Sequence, residues 1–153
     1  ERKPTKTISL NGEQYRRSLY IQVRRSRPLA MLETFDLATV SPNCTQRSFS
    51  NVAPQALLLM NSQFILNYAR LFADRIAREA GQDLASQLQR AWELAYGTLP
   101  TEENSKLLQA YVLNQAAVLR KQDPKIDEAK ARQQALASAC QAILSANPFI
   151  YIE

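Results

Sequence analysis

Apolar residues recur at helical spacing through the C-terminal two thirds of the chain. Four runs place them three or four residues apart, which is the spacing of one buried helix face. The predicted inward positions are Ile65, Ala69, Phe72 and Ile76, then Leu84, Leu88, Ala91 and Ala95, then Leu108, Val112, Ala116 and Leu119, and finally Leu136, Cys140, Ile143 and Leu144. Short connections join these runs, and this arrangement is typical of a compact helical bundle.

Capping and helix-breaking residues predict where the helices begin and end. Side-chain oxygens of Asn, Ser, Asp and Thr bond the free N–H groups of a first turn, and glycine or proline ends a helix. The predicted starts are Pro54, Asn61-Ser62, Asp83, Thr101 and Asp123-Pro124, and the predicted ends are Gly81, Gly97 and Asn147-Pro148. The apolar tail 149–152 is expected to fold back onto the bundle.

The N-terminal residues follow a different pattern. Asn11-Gly12 stands between two short segments and is typical of a type I′ hairpin turn. Leu19, Ile21 and Val23 alternate with polar residues as in a half-buried strand, although the same stretch also fits two helical turns. We therefore predict a mainly α fold, a compact bundle of about four to six helices with a short N-terminal β-hairpin or strand.

The predicted organisation has two parts. Residues 1–27 form a basic arm, and residues 28–153 form a helical domain that is loop-rich over 28–53, helical over 54–147 and ends in a tail at 148–153. Because the chain begins at Glu1, without an initiator Met or a signal-peptide pattern, we expect a fragment of a larger protein. Its longest apolar run, residues 56–60, is far shorter than the ~20 residues of a membrane span.

The amino-acid composition limits the kinds of catalytic and metal sites that the chain can form. The 153 residues are 46% hydrophobic and contain three glycines and no histidine, which favours helices and removes the commonest general base and metal ligand. The sequence has no glycine-rich phosphate loop, paired CxxC, GxSxG or HExxH motif. We expect no catalytic residues, no metal site and no cofactor within this segment.

The net charge of +5 belongs to the arm. Residues 1–27 hold eight basic and two acidic side chains, whereas the other residues are nearly balanced. Such an arm fits an acidic glycan, a phosphate, an anionic lipid surface or an acidic region of a neighbouring domain. It also fits a solvated segment, and nucleic acid is the weakest of the specific alternatives.

The two cysteines, Cys44 and Cys140, lie 96 residues apart. In an oxidising compartment they could form a disulfide, which in the chain-entropy model would stabilise the fold by ~4–5 kcal/mol. In a reducing compartment they would act as small buried apolar groups. Cys140 lies on a predicted apolar stripe, so we expect it to be buried.

Several spaced motifs resemble one protein family. They are Arg16-Arg17-Ser18-Leu19-Tyr20, Phe35-Asp36, Cys44, Arg47-Ser48, Pro54-Gln55-Ala56-Leu57 with Leu59 and Asn61, Gly97 with Pro100-Thr101, and Leu144-Ser145-Ala146-Asn147-Pro148-Phe149 with Tyr151. They resemble the C-terminal domain of unknown function number fifteen fifty-three. This domain occurs in large secreted planctomycete proteins, beside a cytochrome-c-like domain.

The resemblance implies an exported, periplasmic or extracellular, multidomain protein whose upstream domains could carry haem or bind carbohydrate. It supplies no catalytic residue. The matching polar residues Arg16, Arg17, Asp36, Arg47, Gln55 and Asn61 are a candidate cluster, either for binding or as a structural network that fixes the loop-rich segment to the helices.

Two functions follow as hypotheses. The preferred one is a non-catalytic helical module that packs against upstream domains and aids binding of a carbohydrate, another acidic polymer or a partner. The alternative is that its arginines complete the active site of a polysaccharide-processing or haem-linked redox enzyme by binding an anion.

Overall fold

The computed structural model of the chain describes Arg17, Tyr20, Leu32, Thr34, Phe35 and residues 53–150, without the side chains at positions 53, 54 and 56. The chain divides into two compact units, Glu1–Ser50 and Asn51–Glu153. In the first unit, Tyr20 lies in a 3₁₀ turn and its N–H donates to the Arg17 carbonyl at 3.0 Å. This matches the helical alternative at Tyr20, and the predicted hairpin lies outside the described residues.

Six helices make up the described part of the second unit. They are α1 (Ala53–Asn61), α2 (Gln63–Ala80), α3 (Leu84–Tyr96), α4 (Glu102–Gln122), α5 (Glu128–Leu144) and α6 (Asn147–Ile150). The predicted mainly α bundle is therefore confirmed for the residues that the structure describes.

Helix α5 is the centre of this bundle. Its most extensive contacts are with α2 and α4, which have little or no contact with each other, and α3 packs against α2, α4 and α5. The Gln133 side chain donates to Asp74 Oδ1 at 2.7 Å, and Gln141 donates to the Met60 carbonyl at 2.7 Å. Along α5 from Gln133 to Gln141, the partner moves backward in sequence from Asp74 to Met60. Helices α2 and α5 therefore run antiparallel.

Small side chains form much of the core. Ala69 and Ala73 of α2 and Ala135 and Ala139 of α5 are almost completely buried in one cluster. Alanine lets two helix axes approach closely, because it places little volume between them. The larger buried side chains in the same cluster are Ile76, Leu88, Val112, Leu136 and Ile143.

Three predicted caps are confirmed, whereas Ser62 precedes α2 without a side-chain cap hydrogen bond. The Asp83 carboxylate accepts from the Ser86 N–H at 2.9 Å and from its hydroxyl at 2.7 Å, and these bonds hold the pKa of Asp83 below its usual value. The Thr101 hydroxyl accepts from the Asn104 N–H at 3.2 Å. Gly97 follows α3 in the left-handed conformation that favours glycine.

The last long helix begins later than predicted. Asp123 does not cap α5, because its carboxylate accepts from the Lys125 N–H at 3.0 Å and its carbonyl accepts from Ile126 at 3.1 Å. These bonds close a turn, and α5 starts only at Glu128. At the other end, α5 stops at Leu144, before the predicted end at Asn147-Pro148, and these two residues instead begin α6. Helix α6 contacts α3 and α5, which agrees with the predicted fold-back of the tail as far as Ile150, and residues 151 and 152 lie outside the described residues.

Candidate functional site

The predicted polar cluster is only partly described. Arg17 is exposed, whereas Arg16, Asp36 and Arg47 lie outside the described residues. On α1, Gln55 is buried and Asn61 is exposed. Six residues of helix place these two about 120° apart around the axis, so they do not face the same way. The cluster as a whole stays a prediction.

Cys140 is a buried thiol that forms no disulfide with any described residue. Its side chain is 0% exposed within the core, and burial raises the pKa of its thiol to about 12. A thiol in this state is a poor nucleophile at neutral pH, because the thiolate is the reactive form. The predicted burial is thus confirmed. Cys44 lies outside the described residues, so the pairing stays a prediction.

A groove runs beside α5, between α2 and α4. We call it the α5 groove, and its volume is about 520 Å³. The lining residues that matter below are Arg70 and Asp74 from α2, Leu119 from α4, and Lys130, Gln134 and Ala137 from α5. A volume of this size is typical of small-ligand sites, which span ~300–1,000 Å³.

The groove contains two cations without a partner. Among the described residues, Arg70 and Lys130 make no ion pair and no side-chain hydrogen bond, and the Gln134 amide is also unbonded. The groove's Asp74 carboxylate is held by Gln133 rather than by either cation. The free donors of the groove therefore outnumber its acidic groups.

Other arginines of this unit are used structurally. Glu79 of α2 accepts from Arg75 Nε at 2.6 Å and from Arg90 Nε of α3 at 2.8 Å, and both bonds lower the pKa of Glu79. Arg132 donates to the Gln82 carbonyl at 2.8 Å. These bonds tie α2 to α3, and α5 to the connection between α2 and α3, a role that Arg70 does not share.

A second surface is apolar. Four large side chains on α1 and α2 are about half exposed or more, and we call them the apolar face: Leu57, Met60, Phe64 and Leu71. The Phe64 ring packs against Tyr68 with centroids 4.5 Å apart. Exposed apolar groups grouped in this way are typical of interaction surfaces.

The α5 groove could not be recognised from the hydrophobic pattern of the sequence. Its signal was present as a polar stripe on α5, since Lys130, Gln134, Ser138 and Gln141 recur at spacings of three or four residues. A polar stripe usually faces open solvent, and only the gap between α2 and α4 makes it the wall of a groove.

Within the described residues, no group of three or more acidic or cysteine side chains could hold a metal ion. No described helix is long and apolar enough to span a bilayer.

The described geometry defines a small helical domain organised around one alanine-rich helix, with a polar groove and an apolar face. The model of the family described as Protein of unknown function (DUF1553) matches residues 1–112. The chain therefore belongs to this family, as the motifs in its sequence indicated. No curated protein and no solved structure matches the chain.

Proposed function

We propose that the chain is a non-catalytic helical module of an exported multidomain protein, and that it packs against upstream domains of the same polypeptide. The observation that carries this proposal is the apolar face. Phe64 and Leu71 lie seven residues apart on one side of α2, and Leu57 and Met60 precede them on α1. Covering such side chains on association removes apolar area from water, which is favourable by ~25 cal/mol per Å².

Family membership supports the multidomain part of the proposal. The family resembles C-terminal domains of secreted planctomycete proteins that also contain a cytochrome-c-like domain, so a haem would belong to an upstream domain. A carbohydrate or another acidic polymer is the proposed ligand of the assembled protein. Reading the polypeptide upstream of Glu1 for a signal peptide and a CxxCH motif tests export and haem attachment.

Hydroxyl-radical footprinting tests the apolar face directly. The oxidation rates of Met60, Phe64 and Leu71 are measured in the 153-residue chain and in the full-length protein. We expect a several-fold decrease at these residues in the full-length protein, because an adjoining domain covers them. Leu99, which is 67% exposed between α3 and α4, is the matched control. Equal oxidation rates in the two proteins would contradict the proposal.

A further inference from the structure

The α5 groove combines free hydrogen-bond donors with a floor of small apolar side chains. We propose that it binds a short acidic peptide segment in an extended conformation. The proposal goes beyond the packing function, because the groove and the apolar face lie on different sides of α2. Leu66 in the groove follows Phe64 by two residues, which places the two about 200° apart around the helix.

The charges of the groove favour an anionic ligand. Arg70 and Lys130 are exposed and form no ion pair with any described residue, so no such pair has to break when a carboxylate arrives. An Arg or Lys bonded to a carboxylate forms a charge-assisted bond, which is about twice as strong as a neutral one. Asp74 is the groove's acidic side chain between α2 and α5, and Gln133 already donates to it.

The spacing of the cations sets the spacing of the ligand's carboxylates. Gln133 of α5 lies opposite Asp74 of α2. Because the two helices are antiparallel, four residues back along α2 corresponds to four residues forward along α5, so Arg70 lies opposite Ala137. Lys130 precedes Ala137 by seven residues, or about 10 Å along the helix. An extended chain rises about 3.3 Å per residue, so two acidic residues three positions apart match this distance.

The remaining lining favours a peptide main chain between those two acidic residues. The Gln134 amide lies between the cations along α5 and carries both a donor and an acceptor, as a peptide unit does. Ala137 and Leu119 provide an apolar surface for small side chains. None of the described residues that line the groove is aromatic, so they provide no flat platform on which a sugar ring could stack.

Fluorescence anisotropy with a labelled peptide tests the proposal on the 153-residue chain. The probe has the sequence Gly-Asp-Ala-Ala-Asp-Gly, and the comparison peptide has asparagine at both aspartate positions. We expect saturable binding of the probe at low ionic strength and at least about tenfold weaker binding of the asparagine peptide. Failure of the probe to saturate, or equal binding of both peptides, would overturn the proposal.

Matched variants locate the site. Arg70→Gln and Lys130→Gln should each weaken probe binding by about five- to tenfold, because each removes one charge-assisted bond. Arg78→Gln on α2 and Lys121→Gln on α4 change exposed cations outside the groove and should leave binding within about twofold. Equal losses in the control variants would show general charge attraction and would overturn the site.

Two further probes test the conformation and the class of ligand. A peptide with proline in place of the second alanine disfavours the α conformation at the preceding alanine, so unchanged binding supports the extended conformation and a large loss overturns it. An oligouronate that displaces the probe at lower concentration, and that also needs Arg70, would overturn the peptide in favour of an acidic polysaccharide. Footprinting of the apolar face is independent of all these outcomes.

Discussion

Cys140 is expected to resist a thiol reagent in the native chain. The perturbation is 5,5′-dithiobis(2-nitrobenzoate) added at pH 8 to the Cys44→Ala variant, in which Cys140 is the remaining cysteine. A thiol with a pKa of about 12 is about 0.01% ionised at this pH. An ordinary thiol with a pKa near 8.5 is about 24% ionised, so ionisation alone slows the reaction about 2,400-fold.

The higher basicity of the Cys140 thiolate offsets part of this about 2,400-fold decrease in rate, because a more basic thiolate is a stronger nucleophile. With a Brønsted slope of ~0.45 and a difference of about 3.5 in pKa, nucleophilicity rises about 40-fold, which leaves a net decrease of about 60-fold. Complete burial of the side chain adds steric exclusion, because the reagent reaches sulfur only when the core opens. The reaction in the native state should therefore be at least about 60-fold slower than in the unfolded chain.

Absorbance at 412 nm follows the reaction, with and without concentrated urea. A native rate within about tenfold of the unfolded rate would refute the placement of Cys140 in a closed core. The same reagent decides the predicted disulfide in the unmodified, non-reduced chain. Two thiols titrated after unfolding would show that Cys44 and Cys140 are unpaired, and none would show that they form the bond.

Three further predictions concern stability. Gly97→Ala should cost about 1 kcal/mol in urea unfolding because of its left-handed φ. Gly81→Ala should cost more, because its φ of 70° with ψ of −146° is almost exclusive to glycine; an equal loss would contradict this. Tyr96→Phe removes a 2.9 Å bond to a main-chain carbonyl of α5 and should cost ~1 kcal/mol, and an unchanged urea midpoint would contradict it. The lowered pKa of Asp83 predicts a stabilisation that is present above its usual pKa and lost as pH falls through the lowered value, so Asp83→Ala should weaken the acid dependence of Tm.

Local sequence determined most helix boundaries. Asp83, Thr101 and Gly97 act through bonds and backbone angles of their own or adjacent turns, so their effect is independent of the remaining fold. Asp123 was misassigned because aspartate stabilises a turn as readily as a helix start. Asp127 occupies the position before α5 but makes no side-chain cap hydrogen bond, so a local cap does not explain where α5 begins.

Packing between helices that are distant in sequence determined which helices are neighbours and where the groove lies. The spacing of Ala69 and Ala135 predicts that both are buried, but not that α2 and α5 are neighbours. The α5 groove depends on that pairing, since Arg70 and Lys130 are 60 residues apart in sequence. The sequence pattern of one chain does not indicate which polar stripe lies beside a gap between helices, so the groove could not be predicted from it.

The central position of α5 has a consequence for the order in which the domain is made. Synthesis proceeds from the N-terminus, so α2, α3 and α4 are translated before the helix against which their buried alanines and Val112 pack. The core can close only after Ile143 has emerged from the ribosome. Residues 1–112, which the family model matches, are therefore translated before the helix that completes their core.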